Sequence, residues 1–122
     1  MLRKLNHKHI VRFLGTKTEE DCIYIILEFA SGGSLLKVIN NFGKLAENVV
    51  QNYTRQILLG LHYLHTQGVI HRDIKCANLL LDDKGCVKLS DFGCSKLFEG
   101  LDSNFNSLTG VCNSLFLDDL RN

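Results

Sequence analysis

The sequence predicts an α+β fold, and three observations carry that prediction. First, Ala46, Val50, Tyr53, Ile57, Leu61 and Leu64 step by fours and threes, which marks one apolar face of a long helix. Second, Cys22 to Phe29 is dense in β-branched and aromatic residues, and a weaker alternating run, Ile10 to Leu14, precedes it across a polar stretch. Third, several short apolar runs follow the helix, two of them separated by Asp82-Asp83-Lys84-Gly85, a composition suited to a tight turn. Strands therefore come before and after a helical middle instead of alternating with helices, as separate α and β regions require.

In chain order, residues 1–5 read as the last turn of a helix, with Leu2 and Leu5 three apart. Ile10 to Leu14 reads as a short strand ending at Gly15, Thr16 to Asp21 as a turn, and Cys22 to Phe29 as a mostly buried second strand of a hairpin. Ala30-Ser31-Gly32-Gly33 interrupts it. Ser34 then caps a short helix from Leu35 to Asn41 that stops near Gly43. The long helix runs from Ala46 and ends before Gly68, whose freedom at positive φ suits the position after a helix end. Val69-Ile70, Asn78 to Leu81 and Cys86 to Leu89 read as short strands. Residues 99–122 are rich in Asn, Ser, Asp and Gly without periodicity and read as loop or disordered chain.

Composition narrows the function classes. The 122 residues carry 14 Lys+Arg against 13 Asp+Glu, a formal charge of +1 that lacks the basic surplus of a nucleic-acid binder or a polybasic membrane anchor. The longest apolar run, Cys22 to Leu27, is far short of the ~20 residues a spanning helix needs. No apolar signal-peptide core follows Met1-Leu2-Arg3-Lys4-Leu5. The five cysteines are an odd count without a CxxC pair, so they read as reduced thiols, and a cytoplasmic location without nucleic-acid or membrane partners is expected. His62 and His65, three apart on the long helix, have no third ligand in sight and read as part of a polar face.

The chemistry sits at the ends of the short strands. His71-Arg72-Asp73-Ile74-Lys75 is followed by Asn78, five residues after Asp73, and by Asp91-Phe92-Gly93, eighteen after it. Asn78 and Asp91 offer hard oxygens that suit Mg2+. Asp73 can accept a hydroxyl proton, Lys75 is a mobile cation for a phosphoryl group, and Gly93 permits a backbone swing. Each piece alone is common. Their joint spacing is specific.

That spacing resembles the catalytic-loop and metal-binding signature of protein kinases. "HRDIKCANLLLD" resembles the serine/threonine branch, and "HIVRFLGT", "GGSL", "GLHYLHTQGVIHRDIK" and "DFGCSK" together are most similar to MAP kinase kinase kinases. The resemblance implies a two-lobe kinase-like fold, present in part: residues 1–29 as a small-lobe remnant and the start of the hinge, 30–110 as part of the large lobe, and 111–122 as a divergent tail. It implies ATP and Mg2+ as cofactors and a protein substrate, a downstream kinase. By the same resemblance Asp73, Lys75 and Asn78 are catalytic. Asn78 and Asp91 hold the metal. Leu27, Glu28, Ala30 and Leu80 surround adenine. Arg72 docks a phosphorylated activation loop, for which Ser103, Ser107 and Thr109 are candidate sites. Phe13, His71 and Phe92, with Leu2, fall where kinases stack a regulatory apolar column.

The chain also departs from the family. A Gly-rich phosphate loop and a paired strand Lys and helix Glu are missing from it, since Met1 falls just past the position of that glutamate. After Leu108-Thr109-Gly110 the segment "VCNSLFLDDLRN" replaces the expected continuation, as at a missed exon, retained intron or frameshift. The family often has proline where Lys8 and Cys76 stand, which accounts for part of the absence of proline from a chain where usage predicts about six. These departures lead to the expectation that residues 1–122 alone are inactive. The alternatives are a non-catalytic binding module whose exposed half-core takes a partner, or an incomplete reading of a longer kinase gene.

Overall fold

In the computed structural model, residues 4–91 and the strand Lys96–Leu97 are described. Two strands, β1 (Phe13–Glu19) and β2 (Cys22–Leu27), pair antiparallel in a hairpin from Phe13 opposite Leu27 to Glu19 opposite Cys22, with a register shift between Phe13 and Gly15. The first strand begins later and runs further than the sequence suggests. Thr16 to Glu19 is strand, and the turn is reduced to Glu20-Asp21, with Glu20 at φ 44°. Polar residues are tolerated there because the hairpin faces solvent on both sides.

The same fact overturns the expectation that Cys22 to Phe29 is mostly buried: Ile23 is 74% exposed and Phe29 89% exposed. Apolar, β-branched residues favour a strand, but burial needs a second layer. Among the described residues nothing is laid over this hairpin.

The core lies further along the chain. A two-residue strand, β3 (Gly33–Ser34), leads into α1 (Leu35–Phe42). Ser34 Oγ accepts the Lys37 N–H at 3.2 Å, and the Gly43 N–H, at φ 78°, closes the far end on the Ile39 carbonyl at 2.8 Å. The long helix α2 (Glu47–Thr66) starts without a side-chain cap at Ala46 and carries Glu47 in its first turn, where a negative charge suits the helix dipole. Its inner face is Ile57, Gly60 and Leu64.

Then follow β4 (Val69–Ile70), a 3-10 turn over Cys76–Asn78, β5 (Leu79–Leu81), β6 (Val87–Leu89) and β7 (Lys96–Leu97). Asn78, expected in a strand, belongs to the 3-10 turn. β3, β5 and β6 form one antiparallel sheet, and β4 pairs with β7.

The predicted turn between β5 and β6 is held by Asp82, whose Oδ1 accepts the Cys86 N–H at 2.8 Å and the Lys84 N–H at 2.9 Å. Those bonds, the Cys86 one foremost, hold its carboxyl below the usual carboxylate range. Gly85 supplies the positive φ of 76°.

Leu79, Val87 and Leu89 pack with Ile57 and Leu64 of α2 and with Leu5 and Ile10 of the entering chain. Burying such a side chain contributes about 1.5–3 kcal/mol each. Ile10 bridges Leu89 in parallel, and the two segments exchange Val11 N–H to Leu89 O and Leu89 N–H to His9 O, both at 2.9 Å. β6 is thus bonded along both edges. Gly60 is where α2 meets this strand, since a Cβ there would lie 3.0 Å from both the His9 carbonyl and Leu89 Cδ1.

A second close approach joins the segment after β2 to β5. The Gly32 N–H donates to the Leu81 carbonyl at 2.8 Å, and a Cβ on Gly32 would stand 2.7 Å from Leu81 Cβ and 2.8 Å from its carbonyl oxygen. The obstacle includes backbone, which cannot swing aside. Gly32→Ala is therefore expected to destabilise the protein by about 1–3 kcal/mol, read as a lower urea midpoint at unchanged m-value. An unchanged midpoint would show that the two segments separate freely.

Candidate active site

The residues between β4 and β5 form a loop that its own polar groups hold in place. His71 is 1% exposed, and both ring nitrogens are used. Nδ1 accepts the Asp73 N–H at 3.2 Å and Nε2 donates to the Ser90 carbonyl at 2.7 Å. These two roles belong to the neutral Nε2–H tautomer. Burial lowers the His71 pKa from its usual 6.5, against smaller opposing effects of the Ser90 bond and the Asp73 and Asp91 charges.

Asn78 ties the loop to itself. Its Nδ2 donates to the Asp73 carbonyl and to Asp73 Oδ2, both at 2.9 Å. Its own carbonyl accepts from Ser90 twice, from the N–H at 2.9 Å and from Oγ at 3.0 Å. Asp73 Oδ2 also faces Lys75 Nζ at 3.3 Å. Both side chains are partly solvated, so this ion pair adds little stability and leaves the ammonium free to move. Among the described residues no hydrogen bond falls on Asp73 Oδ1.

Asp91 follows Ser90 at the end of β6 and is exposed. It sits at φ 58°, and Arg72 at φ 67°, a left-handed backbone that costs non-glycine residues about 1–3 kcal/mol each. Two such residues flanking one polar loop mark a place where geometry is held by its surroundings.

The structure thus brings Asp73, Lys75 and Asn78 into direct contact and links Asp91 to them through Ser90. Ser90 escaped the sequence reading. A lone serine carries no periodicity, and its place just before Asp91 is its single signal. Leu27 ends β2 and is 44% exposed, short of the burial its apolar character suggests. Glu28 and half-buried Ala30 follow. The Glu28 N–H donates to the Arg12 carbonyl at 2.9 Å, and its Oε1 accepts the Arg12 N–H at 2.9 Å. Half-buried Leu80 stands on β5 between its partners Ser34 and Lys88. The Gly32–Leu81 bond draws the 28–32 segment alongside that strand. Phe13 is half-buried. Leu2, Phe92, Ser103, Ser107 and Thr109 lie outside the described residues, as does Cys94. Cys76, between Lys75 and Asn78, is buried and fills core volume.

A family model described as protein kinase domain matches residues 1–115. Mitogen-activated protein kinase kinase kinase A of Dictyostelium discoideum is 51% identical over 111 residues, 91% of this chain and 12% of its own length. Mitogen-activated protein kinase kinase kinase ANP1 of Arabidopsis thaliana is 55% identical over 96 residues, 79% of this chain and 14% of its own. Serine/threonine-protein kinase STE11 of Saccharomyces cerevisiae is 44% identical over 116 residues, 95% of this chain and 16% of its own. The chain spans between about an eighth and a sixth of the length of these curated relatives.

The buried neutral histidine has a measurable consequence. With its folded pKa below 6.5, the unfolded chain binds more protons, so stability falls as pH drops through about 6.5 and levels off below the folded value. His7, stacked on Tyr63 at 4.8 Å and also lowered, chiefly by burial, adds in the same direction. His71→Gln is expected to be less stable at pH 7.5 but to show a flatter loss of stability between pH 7.5 and 5, measured by urea unfolding across pH. An equal slope in both proteins would mean that His71 is not the titrating group.

Proposed function

We propose that this chain, which belongs to the protein kinase family, carries the catalytic and metal-binding centre of a serine/threonine kinase of the MAP kinase kinase kinase type. The reaction is transfer of the ATP γ-phosphoryl group to a Ser or Thr hydroxyl of a protein, itself a downstream kinase. The observation that supports this best is the clamp on Asp73. Asn78 and Lys75 both engage Oδ2, which leaves Oδ1 to accept the hydrogen bond of an incoming hydroxyl. As the hydroxyl oxygen attacks phosphorus, Asp73 takes up its proton and ADP departs. Lys75 moves from Asp73 toward the transferred phosphoryl oxygens, a shift that a weak, half-exposed ion pair permits.

The donor set suits Mg2+. With Nδ2 committed to Asp73, the Asn78 oxygen is turned away from that residue, and Asp91 adds a carboxylate at the end of β6. Both are hard oxygen ligands. A bound Mg2+ supplies charge neutralisation on the phosphate oxygens. Leu27, the Glu28 carbonyl, the Ala30 backbone and Leu80 make the adenine site, and Arg72 takes a phosphorylated residue of the activation loop, with Ser103, Ser107 and Thr109 as its sources.

Among the described residues no helix is long and apolar enough to cross a membrane. Among the described residues Cys22, Cys76 and Cys86 form no disulfide, which suits a reducing compartment, so the reading extends to the cytoplasm.

Two substitutions test the assignment in the intact protein. Asp73→Asn keeps the Asn78 contact but removes the proton acceptor, and kcat should fall about 10²–10⁴-fold while nucleotide affinity holds. Asp91→Asn should abolish transfer and weaken Mg2+-dependent nucleotide binding. Turnover like that of the unaltered protein in either variant would overturn the reading.

A further inference from the structure

We propose that Lys88 is a positioning residue for the nucleotide, acting through Glu28; the proposal rests on the kinase reading above. Strand alternation sets Val87 and Leu89 wholly into the core and turns Lys88 to the other face of β6. There its Nζ meets Glu28 Oε1 at 3.1 Å and donates to the Lys8 carbonyl at 3.0 Å. Its side chain is 14% exposed, so solvent screens this pair far less than the Lys17–Glu19 pair in the hairpin.

Three segments meet at the one carboxylate oxygen. Glu28 Oε1 receives Lys88 and the Arg12 N–H, while the Glu28 N–H returns to the Arg12 carbonyl. Residue 28 is thereby held by main chain and side chain together, and its carbonyl has a set direction. The anchor on the other side is β6, the strand that continues through Ser90 to Asp91 and lies opposite Leu80 on β5. The ammonium therefore sets the spacing between the segment that takes adenine and the strand that carries the metal ligand. A displaced Glu28 carbonyl would hold a nucleotide less tightly, because a hydrogen bond weakens steeply with distance and misalignment. A lysine suits the task because its long apolar stem crosses the half-buried face of β6 while its three N–H donors serve two acceptors at once.

The role is separable from bulk stability. Lys88→Met keeps the stem and removes the donors, leaving Glu28 to the Arg12 N–H alone. It is expected to raise both the KM for ATP and the metal-free nucleotide Kd, read with a fluorescent ATP analogue, by about tenfold, the size of one lost hydrogen bond to a charged group. kcat should stay within about twofold. Lys88→Arg, which keeps charge and donors, should recover most of the affinity. Glu28→Gln should weaken nucleotide binding in the same direction, and the double variant should be no worse than the weaker single one, as for residues that act through each other.

An unaltered protein that binds no nucleotide would overturn the kinase reading itself. Nucleotide binding and turnover with an unchanged KM in Lys88→Met, a change confined to kcat, or additive losses in the double variant would overturn the positioning role alone. A Lys88→Met protein that fails to fold leaves Glu28→Gln to decide: nucleotide affinity equal to that of the unaltered protein refutes the proposal, and a loss of about tenfold supports it.

Discussion

The candidate site of this molecule depends on β6 being bonded along both edges. Leu89 gives its N–H to His9 and its carbonyl to Val11, and β5 pairs with the strand from the other side. Val87 is held by Gln56 of α2 at its N–H and by His9 Nδ1 at its carbonyl. A strand fixed in this way, with its apolar residues fully buried on α2, cannot slide or tilt. Ser90 and Asp91, which follow it directly, inherit that fixed position. Ser90 then transmits it, through its carbonyl to His71 and through its N–H and hydroxyl to Asn78. The loop that holds Asp73 is thus built outward from one immobile strand. A site made of short segments gains the precision that catalysis requires when its supports are backbone bonds inside a packed core.

The same architecture explains why the strained residues fall where they do. Arg72 and Asp91 both take left-handed backbone conformations. Arg72 lies between His71, locked by two ring bonds, and Asp73, whose N–H and carboxylate are both engaged. Asp91 follows Ser90, which is bonded three times. In each case neighbouring bonds outweigh the cost of the unfavourable dihedral, which amounts to about 1–3 kcal/mol per residue. The result is that the Asp91 carboxylate leaves the strand direction in which ordinary extended backbone would have carried it.

How much of this was legible in the sequence depends on whether a signal is local. The start of α1 at Ser34, its end at Gly43 and the extent of α2 follow from capping chemistry and periodicity, which need no knowledge of the rest of the chain. The motif spacing likewise singled out Asp73, Lys75 and Asn78, which the fold brings into contact, and Asp91, which follows Ser90. Where the reading failed, the missing information was tertiary. Two-residue strands such as β3 and β7 have no period to detect, and they exist because β5 and β4 offer an edge. Thr16 to Glu19 looked like a turn because polar residues usually end a strand, yet β2 offers them partners. Ile23 and Ile25 promised burial, but apolar character states a demand for a covering layer and not its presence.

Ser90 and Lys88 were illegible for a further reason. Each does its work through bonds to residues far away in the chain: Ser90 to His71 and Asn78, Lys88 to Lys8 and Glu28. Their neighbours in sequence have a different task, since Val87 and Leu89 serve the core. A strand bonded on both edges has one face for packing and one left over. In β6 the leftover face holds Lys88, which reaches the segment after β2, while the end of the strand holds Asp91. The same short strand therefore supports both the segment after β2 and the loop that holds Asp73. Core burial, needed for stability alone, fixes the distance between the two places where adenine and metal are proposed to bind. That economy follows from the alternation of side chains along a strand and from hydrogen bonding along both of its edges.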